Sequence, residues 1–307
     1  MNGHIYVKIK GGLGNQLFQF AYALKLKKLF PNKQIVIDYT YFNKKHIRSM
    51  ELQKLSIKNV EWDNSKKFFY DISYYLYLFL VKIAGKLHKK VASIPPLEKR
   101  GYIYNYSKSK YNLPDNELKN YYLAGYFQSE NEIRDVRDEM VDIITPINMT
   151  EYSKELLGLI SKKRSIGISI RIGEDYKSLG WPVCSKAYYE NGIKFLISNN
   201  YDAQLVIFSD NIDLVKNENW FKEFKRDMIF VENCSAVDGL FLLSKCDEFV
   251  IANSTFSWWG AYLSNSDCKR IVAPEMFYNG IKMRDSGLHI PNALYFDNST
   301  GAIIDTD

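Results

Sequence analysis

Hydrophobic and polar residues alternate at positions 5–9, which is the two-residue period of a β-strand. A glycine-rich turn follows, and hydrophobic residues then recur at helical spacing over 17–30, up to Pro31. Positions 34–38 predict a second strand, so the chain opens with a βαβ unit. Between positions 43 and 120 the pattern is irregular and predicts no long element.

The pattern becomes regular again from position 121 onward. Strands are predicted at 121–125, 166–172, 204–208, 228–231, 248–252 and 270–273, and helices at 131–144, 186–198, 212–224, 236–245 and 256–263. Strands that alternate with helices of this length form parallel sheets with right-handed crossovers. Because one core rarely grows beyond about 250–300 residues, the chain of 307 residues predicts two Rossmann-like α/β domains, at 1–150 and 151–307.

Composition narrows the class of protein. The net charge of +6 suits an anionic ligand or an anionic membrane surface. Lysine pairs such as Lys66-Lys67 are too sparse for a nucleic acid binding stripe, so no nucleic acid partner is expected. The four cysteines form no C-x-x-C pair, which predicts neither a zinc site nor a disulfide framework. The start lacks a signal-peptide pattern, so we expect a cytoplasmic protein.

One apolar and aromatic stretch, 68–85, bears on membranes. It is interrupted by Asp71 and Lys82 and falls short of the ~20 apolar residues of a spanning helix. Lysines on both sides of it leave two interpretations, a buried helix of the domain or a helix that lies on a bilayer surface. The second interpretation would place the protein peripherally on the inner face of the membrane.

The first candidate site is the turn Gly11-Gly12-Leu13-Gly14-Asn15-Gln16. Glycines at a strand-to-helix turn let a ligand approach the backbone, and the helix end offers N–H groups with a partial positive charge. The alternative is a tight turn that needs glycine for its own backbone. Leu17 stands where a dinucleotide fingerprint has Gly or Ala, although Asp38 ends the second strand as a ribose-binding acid does.

The second candidate is Arg171, which lies near the carboxyl end of a predicted strand and is followed by Glu174 and Asp175. A guanidinium at this edge can bind a phosphate through two parallel hydrogen bonds, and it keeps its charge at any working pH. The alternative is a structural ion pair with a carboxylate such as Asp175.

A third strand-to-helix turn contains Asn253, Ser254 and Thr255. These hydroxyls can cap the following helix, and the same geometry presents them to a phosphate. Two acids at strand ends are ambiguous as well. Asp238 fits either a helix cap or a contact with guanine or ribose, and Asp210 has the same two interpretations.

Several chemistries find no support in the sequence. The four histidines form no H-E-x-x-H motif and stand beside no serine or cysteine elbow, which argues against zinc peptidases and hydrolase triads. There is also no P-loop motif. We expect no metal, so arginine, hydroxyls and helix ends would have to stabilise a bound diphosphate.

Four segments together resemble the bacterial α-1,2-fucosyltransferases, inverting enzymes that use GDP-L-fucose. They are residues 11–19, residues 125–130, the strand that ends at Arg171, and the stretch from Asp238 to the run Asn253-Ser254-Thr255-Phe256-Ser257-Trp258-Trp259-Gly260-Ala261. The resemblance implies a GT-B fold, in which two Rossmann-like domains face each other across a cleft. It also implies that the carboxyl half holds the nucleotide and that the amino half faces the acceptor.

The same resemblance implies roles for single residues. It assigns Arg171 to the β-phosphate, the hydroxyls of Ser254 and Thr255 to the phosphates, Asp238 to guanosine, and Asn15 to the loop facing the reacting sugar. The predicted donor-binding residues are Gly12, Gly14, Arg171, Asp210, Asp238, Asn253, Ser254 and Thr255, and the predicted catalytic residues are Arg171, Asp175, Glu174 and Asn15.

This chain departs from the family pattern at one point. The family usually has His-x-Arg-Arg-Gly-Asp-Tyr, whereas residues 169–176 are Ser-Ile-Arg-Ile-Gly-Glu-Asp-Tyr. Ser169 replaces the histidine and Ile172 replaces the second arginine. The change alters the expected base contact and removes one positive charge.

The predicted reaction is transfer of L-fucose from GDP-L-fucose to the 2-hydroxyl of an acceptor sugar, often galactose, with inversion, in surface-glycan or O-antigen synthesis. Asp175, Glu174 and Glu130 are the candidates for the base that accepts the hydroxyl proton. Two alternatives remain open. The glycine turn with Asp38 suggests a nicotinamide-dependent oxidoreductase, and the altered arginine segment suggests a non-catalytic nucleotide-sugar-binding relative.

Overall fold

The structure is a computed structural model, and it describes residues 3–44, 48–65, 72, 75–77, 79–80, 82–83, 97, 99–105, 117–173, 180–198 and 202–304. The chain divides into two compact units. The first unit comprises Met1–Gln53 and Ile57–Met140, and the second comprises Lys54–Ser56 and Val141–Asp307.

The division falls after Met140, earlier than the predicted boundary after residue 150. A short antiparallel bridge joins Leu55 to Pro146, and the Ile147 N–H donates to the Lys54 carbonyl at 2.9 Å. These backbone bonds hold residues 54–56 and the segment after residue 140 in the same unit.

The first unit contains a five-stranded parallel sheet in the order β3-β2-β1-β5-β4. Its strands are β1 (Gly3–Lys8), β2 (Lys33–Asp38), β3 (Val60–Asp63), β4 (Tyr102–Asn105) and β5 (Tyr121–Gly125). Its helices are α1 (Leu13–Leu29), α2 (Glu130–Ile133) and α3 (Arg137–Ile143), the last of which crosses the division, with 3-10 turns at Thr40–Asn43, Leu52–Lys54 and Arg134–Val136. The strand order reverses between β1 and β5, because β2 and β3 lie on one side of β1 and β5 on the other.

The second unit contains a six-stranded parallel sheet in the order β13-β10-β9-β6-β7-β8. Its strands are β6 (Ser165–Ile170), β7 (Gln204–Ser209), β8 (Met228–Phe230), β9 (Glu248–Ile251), β10 (Ile271–Pro274), the antiparallel pair β11 (Met276–Tyr278) and β12 (Ile281–Lys282), and β13 (Ala293–Phe296). Its helices are α4 (Glu151–Ile160), α5 (Lys186–Ile197), α6 (Ile212–Asn217), α7 (Ala236–Ser244) and α8 (Thr255–Leu263), with a 3-10 turn at Lys222–Phe224. The order reverses between β6 and β9.

The core of the second unit explains why its strands have no polar alternation. All six residues of β6 are buried, since helices cover a parallel sheet on both faces. On one face, Tyr188 and Ile193 of α5 pack in the same cluster as Ile168. Trp258 and Trp259 of α8 are completely buried, so these two rings are core residues of their unit.

Most predicted elements are present, but several boundaries differ. The first helix begins at Leu13, inside the glycine turn, rather than at residue 17. The predicted helix at 212–224 ends at Asn217, because Asn219 and Phe221 have positive φ angles of 49° and 71°, which an α-helix does not allow. The helix predicted at 131–144 is interrupted by the 3-10 turn Arg134–Val136.

Two further findings concern the described part of the chain. None of its helices is both long enough and apolar enough to cross a bilayer. All four cysteines are free thiols, and burial raises the pKa of Cys184 to about 12.

Candidate active site

The carboxyl ends of β6 and β7 bring Arg171 and Asp210 together. One guanidinium Nη atom of Arg171 lies 2.7 Å from an Asp210 carboxylate oxygen, and both side chains are about one-fifth exposed, at 19% and 18%. The same carboxylate accepts the backbone N–H of Ile172 at 2.9 Å and of Gly173 at 2.8 Å. Asp210 therefore holds both the Arg171 guanidinium and the backbone that follows it.

This geometry bears on the alternative interpretation of Arg171. An ion pair of Arg171 with a carboxylate is present among the described residues, and the partner is Asp210. Glu174 and Asp175, two of the predicted catalytic residues, lie outside the described residues. The partner follows β7, more than thirty residues further along the chain, a distance over which sequence periodicity gives no pairing information.

The amino end of α8 lies beside this pair of strands, because α8 follows β9 and β9 pairs with β6. Ser254 is the N-cap residue, yet its side chain accepts no capping hydrogen bond, and the first turn of α8 contains no acidic residue. In contrast, the hydroxyls of Thr150, Ser185 and Ser235 accept the backbone N–H that caps α4, α5 and α7. The Ser254 hydroxyl is thus not used by its own helix.

A buried hydroxyl pair fixes α8 against β6. The Oγ atoms of Ser169 and Ser257 are 2.7 Å apart, and both side chains are buried. Ser169 occupies the position of the family's usual histidine, so the shorter side chain is accommodated by direct contact with α8. The pair holds the amino end of α8 next to the end of β6.

Asn253 is buried, and its amide nitrogen donates to the carbonyls of Pro182 at 2.7 Å and Phe277 at 3.1 Å. In this structure it joins the loop at Pro182 to strand β11. Its predicted role in donor binding stays a prediction.

Asp238 lies in the first turn of α7 and is 1% exposed. Its backbone N–H is capped by the Ser235 hydroxyl at 3.1 Å, and one carboxylate oxygen accepts from the Ser153 hydroxyl at 2.9 Å. The other oxygen is buried and has no hydrogen-bond partner among the described residues. Burying an acceptor without a donor costs about 1–3 kcal/mol, so this atom is a candidate for a ligand contact.

The sequence left two explanations for the glycines of the first unit's turn: close approach of a ligand, or the backbone of the turn itself. The structure distinguishes them at Gly11 and Gly12. Gly11 has φ +81°, and a Cβ there would stand 3.0 Å from the Asn15 amide, so this glycine is required by the turn itself. Gly12 has φ −76°, and a Cβ there would meet nothing closer than Arg48 at 3.9 Å. Neither backbone nor packing requires glycine at position 12, which leaves open space beside the amino end of α1.

Two glutamines of the same motif have a role that the sequence did not predict. Gln16, which is completely buried, donates to the carbonyls of Gly11 at 2.9 Å and Ser49 at 2.8 Å. Gln19, also buried, accepts from the Lys10 N–H at 2.9 Å and donates to its carbonyl at 3.2 Å. Their spacing of three residues, one helical turn, was the signal that could have indicated a shared face of α1.

The segment after β5 supports this turn. Phe127 has φ +51°, which is unusual for a residue other than glycine, and its buried ring stacks on Tyr22 at 4.5 Å. The adjacent Gln128 donates from its amide to the Asn15 amide oxygen at 2.8 Å. Two motifs from opposite sides of the β1–β5 reversal thus meet at Asn15.

Two acids of the first unit have close partners. Glu130, a candidate base, is 5% exposed and lies 2.8 Å from the Arg134 guanidinium. Asp38 is 2% exposed, lies 3.6 Å from the Lys8 ammonium, and accepts the Thr40 N–H at 2.9 Å and hydroxyl at 2.6 Å. Asp38 is therefore engaged by its own unit rather than presented to a ribose.

One further buried cation was not predicted from the sequence. Nε and one Nη atom of Arg284 are buried without a hydrogen-bond partner among the described residues, and the guanidinium lies 5.5 Å from the Tyr295 ring centre. No motif marks this arginine. A buried guanidinium in this state is a candidate for an anion contact.

In the described part of the chain, no three His, Cys, Asp or Glu side chains cluster in a way that could hold a metal ion. In each sheet, the candidate residues follow the two strands between which the strand order reverses. Gly12 and Asn15 follow β1 and Gln128 follows β5, whereas Arg171 follows β6 and Ser254 follows β9. In open parallel sheets this is the place where ligands bind.

Solved fucosyltransferase structures have the same fold. NodZ α-1,6-fucosyltransferase co-crystallised with GDP is 12% identical with a TM-score of 0.53, and the match covers 100% of this chain and 99% of that one. A NodZ structure from Bradyrhizobium gives a TM-score of 0.51 at 13% identity, with 86% and 93% covered. POFUT1 in complex with GDP also gives 0.51, at 15% identity, with 89% and 98% covered. The fold is that of a GT-B glycosyltransferase, which confirms the predicted fold class.

The model of glycosyl transferase family 11 matches residues 4–287. Two curated proteins of Escherichia coli are similar over most of their length. Alpha-1,2-colitosyltransferase is 27% identical over 89% of this chain and 92% of its own, and O-antigen biosynthesis glycosyltransferase WbnK is 30% identical over 90% and 95%. The chain belongs to glycosyl transferase family 11, as the four resembling segments predicted, and it is a glycosyltransferase.

Proposed function

We propose that the protein transfers L-fucose from GDP-L-fucose to the 2-hydroxyl of an acceptor sugar such as galactose, with inversion at the anomeric carbon. One observation carries the proposal: Arg171 and the amino end of α8, whose Ser254 hydroxyl forms no cap, follow the two strands at the reversal of the second sheet. Family membership supports it, as do the structures of NodZ and POFUT1, which have the same fold and were solved with GDP.

These two groups suit a diphosphate leaving group. A guanidinium can donate two parallel hydrogen bonds to phosphate oxygens, and a helix amino end offers N–H groups with a partial positive charge. Asp210 fixes the guanidinium through one oxygen at 2.7 Å, so Arg171 is oriented before the ligand arrives. We propose that this charge, rather than a metal ion, neutralises the departing diphosphate.

Asp238 is the proposed contact for the guanine base. A carboxylate accepts hydrogen bonds, and the Watson–Crick edge of guanine carries adjacent N–H donors. The partnerless Asp238 oxygen would gain the donor that it lacks among the described residues. Because the side chain is 1% exposed, this contact requires a rearrangement at the amino end of α7.

The proposed chemical step is a single displacement. The acceptor hydroxyl oxygen bonds to the anomeric carbon as the bond from that carbon to the β-phosphate oxygen breaks and GDP leaves. A carboxylate accepts the hydroxyl proton. Glu130 is buried beside Arg134, so among the three candidate bases Glu174 and Asp175 are the preferred ones.

The acceptor is proposed to belong to a surface glycan or O-antigen, because one curated relative is an O-antigen biosynthesis glycosyltransferase. Such an acceptor is assembled where nucleotide-sugars are made, so we propose a cytoplasmic site of action.

A donor panel tests the proposal. The protein is incubated with galactosides and with GDP-L-fucose, GDP-L-colitose, GDP-mannose or UDP-galactose, and products are identified by NMR. GDP-L-colitose is included because a curated relative is a colitosyltransferase. We expect transfer from GDP-L-fucose and an α-linkage at the 2-hydroxyl.

Each contrary result has a distinct meaning. Preference for GDP-L-colitose would overturn the donor assignment but retain the site. Transfer from UDP-galactose would overturn the nucleotide assignment. GDP binding without turnover of any donor would indicate the non-catalytic alternative, and stabilisation by NAD but not by GDP would indicate the oxidoreductase.

The Asn15–Gln128 hydrogen bond gives a second test, directed at the first unit. We expect Asn15→Ala and Gln128→Ala each to lower kcat/KM about tenfold, because each loses one hydrogen bond that positions the turn. In the double variant the loss should match the larger single loss, since both substitutions break the same bond of 2.8 Å. Fully additive losses, measured in the same transfer assay, would mean that the two side chains act independently.

A further inference from the structure

An apolar stripe lies on the outside of the first unit. Every described residue between 72 and 83 is helical. Six of them are large apolar side chains that are 38–60% exposed, namely Ile72, Tyr75, Leu76, Phe79, Leu80 and Ile83. Their spacing of three and four residues places them within about 140° of one helix face.

The opposite side of the same helical stretch contacts the unit. Tyr77 is 1% exposed, and its ring centre lies 5.1 Å from that of Tyr104, in a cluster that includes Ala124. The helix is thus anchored through Tyr77 while its apolar stripe faces away from the core. A contiguous apolar surface of this kind on a folded protein normally marks an interaction site.

The charge around the stripe identifies the partner. Residues 66–90 contain six lysines and one acid, Asp71, which is a net charge of +5 out of +6 for the whole chain. No acidic residue occurs from 72 to 97, and Lys82 is exposed beside the stripe. A second copy of the chain would bring an equally basic segment against this one, so like-charge repulsion disfavours a symmetric dimer.

We propose that this stripe is a docking surface for an anionic lipid bilayer. The apolar side chains would lie at the boundary of headgroups and acyl chains, and the exposed Lys82 would contact anionic headgroups. The proposal goes beyond the proposed transfer reaction, because it requires neither donor nor acceptor.

Co-sedimentation of the full chain with vesicles tests it. We expect binding to vesicles that contain phosphatidylglycerol and little binding to vesicles of phosphatidylcholine alone. Phe79→Ser should weaken the partition coefficient at least about tenfold, because a large apolar side chain is lost from the interface. Lys82→Gln should weaken it about fivefold, because Lys82 is exposed beside the stripe, and added salt should reduce binding further.

Leu159→Ser is the matched control, since Leu159 is 42% exposed on α4 of the other unit. It should leave vesicle binding unchanged. Equal weakening by Phe79→Ser and Leu159→Ser would overturn the proposal, as would absent binding to anionic vesicles. A dimer seen by light scattering and abolished by Phe79→Ser would also overturn it, in favour of a second copy.

The stabilisation of each variant by GDP is measured in parallel. A retained shift in melting temperature shows that a loss of vesicle binding is separate from the donor site. Failure of the donor assignment would leave the vesicle result standing, so the two proposals fail independently.

Discussion

Arg171→Ala is expected to lower kcat/KM for sugar transfer by about 10²–10³, the typical loss when one positioned donor to a developing negative charge is removed. The folded state should change little. Asp210 keeps two backbone donors, the N–H groups of Ile172 at 2.9 Å and Gly173 at 2.8 Å, after the guanidinium is gone. We therefore expect a melting temperature within about 2–4 °C of the parent.

Lys163→Ala is the control for this substitution. Lys163 precedes β6 at the opposite end of the strand, and its ammonium lies 2.7 Å from Asp227. Removing this half-buried cation, which lies far from the carboxyl ends of the strands, should change kcat/KM by less than about twofold. Turnover of Arg171→Ala within tenfold of the parent would remove Arg171 from the proposed mechanism.

Ser254→Asp should have opposite effects on stability and function. Aspartate is a strong N-cap and its charge suits the helix amino end, so α8 should gain about 0.5–1 kcal/mol where serine now forms no cap. The same charge would lie beside the proposed diphosphate. At an effective dielectric constant of about 20, two unit charges about 5 Å apart repel by about 3 kcal/mol, so GDP affinity should fall by about 10² or more.

Ser254→Asn separates the effect of the added charge from the effect of a capping side chain. Asparagine caps a helix as well as aspartate does but is neutral, so stability should again rise while GDP affinity falls much less. Thermal melting with and without GDP, together with calorimetric titration, measures both quantities. If Ser254→Asp binds GDP as tightly as the parent, the amino end of α8 is not the diphosphate site.

The sequence predicts some of the features on which these two predictions rest, but not all of them. The position of Arg171 near a strand end was predictable, because the strand predicted at 166–172 contains it close to its carboxyl end; in the structure β6 ends at Ile170, one residue before Arg171. Its ion-pair partner was not, because Asp210 becomes a neighbour only when β7 pairs with β6 in the sheet. A crossover connection sets that neighbour relation, and residue periodicity carries no information about it.

Which serine caps its helix could not be predicted from the sequence either. Ser235 and Ser254 both precede a helix, and either could be a cap on sequence grounds. Ser235 caps α7 and Ser254 does not cap α8, and their backbones differ, with φ −63° at Ser235 and −132° at Ser254. The sequence left two interpretations of 68–85, a buried helix or a helix on a bilayer surface, and the structure adds that its described residues include exposed apolar side chains and the buried Tyr77.

The sequence by itself determined the class of fold, the order of most strands and helices, the family, and which turns hold the candidate residues. Local periodicity and short motifs specify these features, because they depend on neighbours along the chain. Only the tertiary structure showed that Asp210 orients Arg171, that Gln128 donates a hydrogen bond to Asn15, and that Asp38 forms an ion pair with Lys8. These contacts join residues distant in sequence, and only strand order and packing bring such residues within hydrogen-bonding distance.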